Sequence, residues 1–208
     1  FAKAVNGADL ITPDGMPIAK GIELFYKVHQ ERVCGMDLLP DLLKASEDSG
    51  IKVFFYGGTC EALEKTKKYC SQYYPGLSIA GMISPPFRKL TAEEEQSHVD
   101  TINNSGAGFL FVALGCPKQE KWMAEMKGRI NACMVGIGGA LPVKVGMQKR
   151  APLWMQHSSL EWLFRLMQEP RRLFKRYAVT NTLFVCLVLW NWARQGFRPL
   201  ASERLAVG

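Results

Sequence analysis

The sequence predicts an α/β fold, a Rossmann-like open parallel sheet with helices on both faces, followed by a C-terminal helical appendage. Between Ala8 and Gly139, short apolar runs alternate with longer segments that carry charge at helical spacing. Beyond Gly146 this alternation ends, and helical, basic and apolar stretches replace it. We therefore expect a Rossmann-like catalytic domain over residues 1–147 and a basic amphipathic helical appendage over residues 148–208.

The apolar runs are the expected strands, because they are rich in Val, Ile, Phe and Leu and several end at glycine. Their ranges are Ala8–Ile11, Lys52–Tyr56, Leu77–Ile83, Phe109–Leu114 and Ala132–Ile137. The charged segments between them are the expected helices of the sheet domain. The clearest of these segments are Cys60–Tyr73, Ala92–Asn103 and Lys118–Lys127.

The C-terminal part has a different pattern. Leu153–Gln168 is helical in its spacing, and Pro170 is expected to begin a new helix at its first position. A cluster of Arg and Lys precedes the apolar stretch Leu183–Trp192, and Arg198 follows it in an expected loose tail, Gly196–Gly208. Because no run of about 18 uncharged apolar residues occurs, no standard transmembrane helix is expected. The pattern suits a helix lying on an anionic membrane surface, with packing on the core or on another subunit as the alternative.

Composition restricts the class of protein and of partner. Of the 208 residues 48% are hydrophobic and 22% charged, which is typical of a globular chain and excludes a disordered one. The net charge of +7 indicates an anionic partner: nucleic acid, a phosphorylated ligand or a membrane surface. The six cysteines have neither CxxC nor zinc spacing, so reduced, mostly buried thiols and a cytosolic location are expected. The first residues do not form a signal peptide, and they look like the end of a helix whose start lies upstream.

Several expected strands end in glycine-containing loops. In open parallel sheets ligands bind at the carboxyl ends of strands, where glycine lets backbone amides approach a phosphate. Any one of these loops could equally be a tight turn, but together they favour a nucleotide or sugar-nucleotide site. No GxGxxG follows the first strand and no GxxxxGK[ST] occurs, so dehydrogenase and P-loop interpretations are weak. The residues in question are Gly57, Gly58, Gln119, Glu120, Gly136, Gly138 and Gly139.

Candidate polar residues have competing explanations. Asp14 could act as a general base on an acceptor hydroxyl, although the local Pro-Asp-Gly sequence by itself favours a simple turn. Glu120 at a helix start is also a common response to the helix dipole. No Asp-x-Asp occurs, so we expect arginines and helix dipoles, rather than a divalent metal, to compensate the charge of a diphosphate. Neither a metal nor a cofactor is expected.

The order of the motifs carries a specific resemblance that runs from about Ala8 to Tyr177. The strings are Pro13–Pro17, Glu31–Leu38, Phe55–Gly58, Leu114–Trp122, Gly136–Ala140, Arg150–Pro152 and Leu160–Arg172. Within them, LGCPKQEKW and LEWLFRLMQEPRR are the most specific. Together they resemble the WecG/TagA/CpsF glycosyltransferase family.

The resemblance implies an inverting, metal-independent transferase of bacterial surface polysaccharide or teichoic acid synthesis. Its donor would be UDP-linked N-acetylmannosamine, or glucose or glucuronic acid, and its acceptor a polyprenyl-diphosphate-linked sugar. By the same resemblance Asp14 is the general base, Arg32 is a donor-binding residue near the active site and Gln119 lies in the donor pocket. Three C-terminal arginines would close over the acceptor diphosphate, namely Arg165, Arg172 and Arg176.

Two departures from the family pattern keep alternatives open. Family members have a strand before the position of Phe1 that contributes a Thr and an Asn to the site. Pro142 or Val143 stands where many members carry an acidic residue. The alternatives are a non-catalytic basic anion-binding module, for example an RNA-binding protein, and an inactive scaffold. We expect no nucleic-acid partner and a cytoplasmic protein peripheral on the inner face of the membrane. The oligomeric state stays open, with a homo-oligomer as one alternative because family members can self-associate.

Overall fold

The computed structural model describes residues 1–195, which divide into two compact units. The first contains Phe1–Ile11 and Gly35–Lys149. The second contains Thr12–Cys34 and the chain from Arg150 onward. The sequence pattern predicted a single division after residue 147. In the structure the division follows Lys149, and the segment Thr12–Cys34 also belongs to the unit of the C-terminal helices. The loose tail predicted from the sequence, Gly196–Gly208, which contains Arg198, lies outside the described residues.

The first unit is built on a parallel sheet, which confirms the expected fold class. Its strands are β1 (Val53–Gly57), β2 (Ile79–Ile83), β3 (Phe109–Ala113) and β4 (Cys133–Gly136), in the order β2-β1-β3-β4. All neighbouring strands in this sheet are parallel. The helices along the chain are α1 (Ala2–Asn6), α2 (Met16–Tyr26), α3 (Gly35–Ser49), α4 (Cys60–Tyr73), α5 (Ala92–Asn104), α6 (Lys118–Met126), α7 (Ala140–Lys144), α8 (Leu153–His157), α9 (Glu161–Gln168) and α10 (Pro170–Gln195).

Both faces of the central strands are buried, because side chains alternate along a strand and those of β1 and β3 are buried on either side. On one face Phe54 and Leu110 pack with Ile102 of α5 and Met126 of α6. Connections between parallel strands are right-handed, so the crossover from β1 to β2 and that from β2 to β3 run on opposite faces. Helix α4 therefore covers the face opposite to α5 and α6.

Helix α5 begins where its sequence provides a complete N-terminal cap. The Thr91 hydroxyl accepts the Glu94 amide at 3.2 Å, and the Glu94 carboxylate accepts the Thr91 amide at 2.9 Å. Arg88 adds two hydrogen bonds to that carboxylate, at 2.6 and 2.7 Å. The Arg88 guanidinium, followed by the Thr91 amide, lowers the pKa of Glu94 to about 2. The acidic residues of the first turn, Glu93–Glu95, are therefore explained by the start of this helix, where the helix dipole favours negative charge.

The strand expected at Ala8–Ile11 is not formed, so that prediction was wrong. The segment is irregular, and the side chains of Leu10 and Ile11 are 82% and 56% exposed. A strand is stabilised by its ladder to a neighbour and by the surface it covers, and this short run has neither in the described residues. Its anchor is polar instead: the Lys127 ammonium donates to the Asp9 carboxylate at 2.8 Å and to the Gly7 carbonyl at 2.9 Å.

In the second unit, the expected helix over Leu153–Gln168 is two helices. Helix α8 ends at His157 and α9 begins at Glu161, because Ser159 takes a left-handed conformation (φ 62°) that ends the first helix. The new helix expected at Pro170 is confirmed as α10. Its Tyr177 ring meets Trp162 of α9 edge to face, with centroids 6.0 Å apart.

Helix α10 exposes most of its apolar side chains. Leu183, Leu187 and Trp190 are each more than half exposed, and Arg194 lies over the Trp190 ring at 5.0 Å. By length and composition alone, Pro170–Arg194 is the one helix in residues 1–195 that could cross a membrane. The sequence predicted no standard transmembrane helix, and that prediction is not tested by this candidate, which passes on length and mean hydropathy because its apolar residues continue past polar positions such as Asn181 and Asn191.

None of the six cysteines forms a disulfide in the described residues, and most of them are exposed. Only Cys34 and Cys70 are buried, so the expectation of mostly buried thiols was wrong. Burial raises the pKa of Cys70 to about 12. We expect iodoacetamide at pH 8 to alkylate the exposed Cys133 within minutes and to leave Cys70 unmodified in the folded protein, as peptide mass spectrometry would show. Equal labelling of the two would contradict this burial.

Candidate functional site

The sheet order locates a ligand crevice in the first unit. From β1 the chain crosses to β2 on one side, whereas β3 and β4 lie on the other side of β1. Where connections leave in opposite directions, a crevice opens outside the carboxyl ends of the two central strands. Gly57 ends β1 and Gly58 follows it, and the Leu114–Glu120 segment follows β3 at this same edge. The structure thus brings the predicted glycine loops together.

The loop after β1 requires glycine. Gly57 has φ 109°, and a Cβ there would lie 2.7 Å from the carbonyl carbon and oxygen of Ala113. The Gly58 amide donates to that Ala113 oxygen at 3.1 Å, and the Ser84 hydroxyl donates to the Gly58 carbonyl at 2.7 Å. Thr59 then caps α4 by accepting the Ala62 amide. The first turn of α4 consequently lies at the edge of the crevice, where its backbone amides favour binding of an anion.

We expect Gly57→Ala to lower the free energy of unfolding by about 3 kcal/mol or more, because it combines a left-handed backbone with a steric clash. Gly106→Ala is the matched control: Gly106 has φ 66°, but a Cβ there meets nothing within 4 Å. That variant should lose only about 1 kcal/mol. Urea titrations of both variants measure the difference, and equal losses would show that the contact with Ala113 is unimportant.

The loop after β4 is fixed to the end of β3. The amides of Ile137 and Gly138 both donate to the Val112 carbonyl, at 2.9 and 3.2 Å. Gly139 precedes the short helix α7, and Ala140 and Leu141 at its start are buried. Val143 is half-buried in the same helix. It is one of the two candidates, with Pro142, for the position where many family members carry an acidic residue.

Gln119 links the loops after β3 and β4. Its side chain is buried, and its amide donates Nε2 to Glu120 Oε1 at 3.1 Å. A Cβ on Gly136 would lie 3.0 Å from Gln119 Nε2, and one on Gly138 would lie 3.0 Å from Gln119 Oε1. The two glycines therefore leave the space in which the Gln119 amide lies.

An aromatic contact that sequence reasoning missed holds α6 on the sheet. The Trp122 ring stacks on the Tyr56 ring with centroids 4.4 Å apart, and the Tyr56 hydroxyl lies 3.1 Å from Nδ1 of His98. Burial, with a smaller contribution from Glu95, raises the pKa of Tyr56 to about 12. The hydroxyl stays protonated at neutral pH, so this contact positions α6 without adding charge. The signal in the sequence was Trp122, four residues after the start of α6, where a large aromatic side chain can pack on the sheet.

In the second unit, Asp14 is exposed and stands immediately before Gly15, which caps α2. The preceding residue, Pro13, is buried and its carbonyl accepts the Val33 amide at 3.1 Å. This bond joins the two ends of the Thr12–Cys34 segment. The Pro-Asp-Gly sequence thus starts a helix, which leaves the Asp14 carboxylate at the surface.

Arg32 belongs to an ion-pair cluster with the C-terminal helices. Its Nη1 donates to Glu161 Oε2 at 2.6 Å, and the other carboxylate oxygen accepts Arg165 Nη2 at 2.9 Å. Gln156, which donates to the Ala151 carbonyl, lies 3.5 Å from Arg32 Nη2. Glu161 thereby holds two predicted site arginines together. Sequence reasoning missed Glu161, although its i,i+4 spacing to Arg165 is a recognisable signal.

The other two predicted arginines are on α10. Arg172 forms an ion pair with Glu169, and both it and Arg176 are exposed. Within the second unit, therefore, Arg32 and Arg165 share one carboxylate, whereas Arg172 has a different one. The four arginines and Asp14 all lie in this unit, and the donor-loop residues all lie in the first.

Comparison with known proteins agrees with this arrangement of motifs. A protein of Bacillus spizizenii (strain W23) named N-acetylglucosaminyldiphosphoundecaprenol N-acetyl-beta-D-mannosaminyltransferase is 32% identical over 173 residues. That alignment covers 83% of this chain and 65% of the relative. A protein of the same name from Staphylococcus aureus (strain MW2) is 29% identical over 177 residues, 83% of this chain and 66% of its own. The chain thus spans just under two thirds of the length of these relatives.

The family match covers more of the chain than either relative does. The description of that family is Glycosyl transferase WecG/TagA/CpsF family, and it matches residues 1–198. These residues include every motif string quoted above, the four-stranded sheet and the start of each C-terminal helix. The chain belongs to the WecG/TagA/CpsF glycosyl transferase family.

Proposed function

We propose that this chain is the catalytic part of an inverting glycosyltransferase that moves a sugar from UDP to a polyprenyl-diphosphate-linked acceptor. The observation that carries the proposal is the glycine-lined crevice at the point where the strand order reverses, in a chain of this family. The names of the two relatives support N-acetylmannosamine as the sugar and a diphosphoundecaprenol-linked N-acetylglucosamine as the acceptor. Glucose and glucuronic acid are the other donor sugars to be tested.

In the proposed reaction the donor binds in the first unit. Its diphosphate lies at the N-terminus of α4, where Gly57 and Gly58 let the backbone approach and the helix dipole favours negative charge. Gln119 contacts the sugar nucleotide, and the loop containing Gly136, Gly138 and Gly139 borders the same crevice. In this proposal the backbone amides and the dipole of α4 stabilise the departing UDP, and no step requires a metal.

Asp14 supplies the base. Its carboxylate takes the proton from the acceptor hydroxyl while that oxygen forms a bond to the anomeric carbon of the donor sugar. The bond between this carbon and the diphosphate oxygen breaks, and UDP leaves with the electron pair on the opposite face. A single displacement of this kind inverts the anomeric configuration. Asp14 is exposed and precedes α2, so a hydroxyl of a second substrate can reach its carboxylate.

The arginines of the second unit bind the acceptor diphosphate. Arg172 and Arg176 are exposed on the first turns of α10, and phosphate oxygens accept from arginine in the same two-pronged manner as carboxylates. Arg172 is 69% exposed in its pair with Glu169, so exchanging that carboxylate for a diphosphate costs little. Arg165, held by Glu161, completes the set.

The exposed apolar and basic surface of α10 brings the enzyme to the membrane that contains its acceptor. Exposed cations near an anionic leaflet are each worth about 1 kcal/mol of binding, and the exposed tryptophans suit the interface. We expect cosedimentation with phosphatidylglycerol vesicles and a clear loss of it in Arg171→Glu/Lys175→Glu. The control Lys67→Glu/Lys68→Glu places the same charge change on α4. Binding that survives high salt and both charge changes would instead indicate a spanning helix, whereas no binding of the unmodified chain would favour burial of α10 against the core or a second copy.

The decisive experiment is a panel of UDP-sugars assayed for UDP release against a synthetic polyprenyl-diphosphate N-acetylglucosamine, with and without EDTA. We expect release with UDP-N-acetylmannosamine that EDTA does not reduce. Release that stops with EDTA would remove the metal-independent mechanism. No release with any donor would favour the inactive scaffold, and salt-sensitive binding to RNA without binding to vesicles would favour the nucleic-acid-binding alternative.

A further inference from the structure

The amide of Gln119 has only one orientation that its surroundings allow. An amide can be placed two ways that exchange its oxygen and nitrogen, and its hydrogen-bond partners decide between them. Here the partner is Glu120, and an ionised carboxylate accepts hydrogen bonds but donates none. Only the Gln119 nitrogen can face Glu120 Oε1, at the observed 3.1 Å. The carbonyl oxygen must then point to the other side, toward Gly138.

That carbonyl oxygen has no hydrogen-bond donor. Gln119 is 8% exposed, and its Oε1 is a buried atom without a partner among residues 1–195. Buried polar groups in folded proteins are almost always paired, so an orphaned acceptor beside a glycine loop needs an explanation. The second oxygen of Glu120 is unpaired in the same way. Gln119 Oε1 and Glu120 Oε2 are thus two buried acceptors without a donor among the described residues, and Gln119 Oε1 is the one that faces the loop between β4 and α7.

We propose that Glu120 is a positioning residue, which holds Gln119 so that its carbonyl oxygen accepts a hydrogen bond from a hydroxyl or N–H group of the sugar nucleotide. This inference rests on the proposed function and concerns the same crevice. Phosphate oxygens at neutral pH are chiefly acceptors, and the Glu120 carboxylate repels them, so this corner selects against the diphosphate. The diphosphate then binds at the start of α4. The segment between β3 and α6, which contains Gln119, binds the part of the donor that carries hydroxyl or N–H groups.

The test is calorimetric binding of UDP-N-acetylmannosamine to the full chain and to Glu120→Ala and Glu120→Gln. Losing Glu120 lets the Gln119 amide rotate, so Glu120→Ala should weaken binding about tenfold, the value of one buried hydrogen bond. Glu120→Gln removes the charge but keeps a carbonyl oxygen that can accept Gln119 Nε2, and it should recover most of the affinity. Glu125→Ala is the matched control, because Glu125 is an exposed carboxylate on the same helix.

Coupling between the two residues separates positioning from direct contact. In a Gln119→Ala background, Glu120→Ala should have no further effect, because there is no amide left to orient. An equal further loss in that background, or equal losses in Glu120→Ala and Glu120→Gln, would overturn the positioning role. Thermal melts of each variant check that the fold is retained. If the unmodified chain binds no UDP-sugar, the proposed function itself fails; normal binding with an unaffected Glu120→Ala variant overturns only this inference.

Discussion

Replacing Asp14 by asparagine is expected to lower kcat by about 10² to 10⁴, the usual contribution of a general base. Asparagine has the same shape as aspartate, but its amide cannot take up the proton of the acceptor hydroxyl. Because Asp14 is exposed and precedes the helix cap at Gly15, the change should leave the fold intact. Turnover is measured as UDP release with a saturating polyprenyl-diphosphate acceptor.

Binding of UDP should distinguish a lost base from a lost donor site. The residues proposed to hold UDP lie in the first unit and Asp14 lies in the second, so the UDP dissociation constant should be unchanged in Asp14→Asn. Asp41→Asn is the control, since Asp41 is an exposed carboxylate on α3. Undiminished turnover in Asp14→Asn would assign the base to another residue, and a parallel loss of UDP binding would assign Asp14 to the donor.

Among substitutions that remove a charge in the second unit, Glu161→Ala is expected to cause the largest loss in the free energy of unfolding. It removes the carboxylate from both Arg32 and Arg165, and the Arg32 side chain is only 11% exposed. Taking one partner from a mostly buried ion pair costs on the order of 3 kcal/mol, because the remaining charge loses its compensation in a poorly solvated place. Urea titration followed by circular dichroism measures the loss.

A neighbouring ion pair is the control for this expectation. Glu169→Ala removes the partner of Arg172, which is 69% exposed and is solvated without it, so a loss below about 1 kcal/mol is expected. Hydrogen exchange adds location to the comparison: Glu161→Ala should increase exchange in Thr12–Cys34, where Arg32 resides. If the two variants lose equal stability, the buried cluster around Glu161 is not what holds Arg32.

Features that depend on near neighbours along the chain were predictable from the sequence. The segment Cys60–Tyr73 was expected to be a helix and is one, since Thr59 supplies its cap and two glycines end the strand before it. The start at Pro170 and the parallel arrangement of the buried strands follow equally from local periodicity and capping. The glycine loops were likewise predictable as a group, because parallel strands place their carboxyl ends at one edge.

Features that depend on distant residues were not predictable. The sheet order, which locates the crevice between β1 and β3, follows from pairing that local spacing does not encode. Ala8–Ile11 has the composition of a strand but no neighbour to pair with in the described residues. Glu161 pairs with Arg32 across 129 positions of sequence, so the motif strings alone could not show that one carboxylate holds two of the site arginines.

By itself the sequence therefore determined the class of fold, the family and the residues to consider, because helix periodicity, caps and motif strings act over a few residues. The tertiary structure decided which of those residues meet. It put the Gln119 amide between two glycines and a carboxylate, grouped Thr12–Cys34 with the C-terminal helices, and left the apolar face of α10 exposed. The physical reason is that burial and hydrogen-bond pairing are set by the whole packed chain, and neither is a property of a local segment.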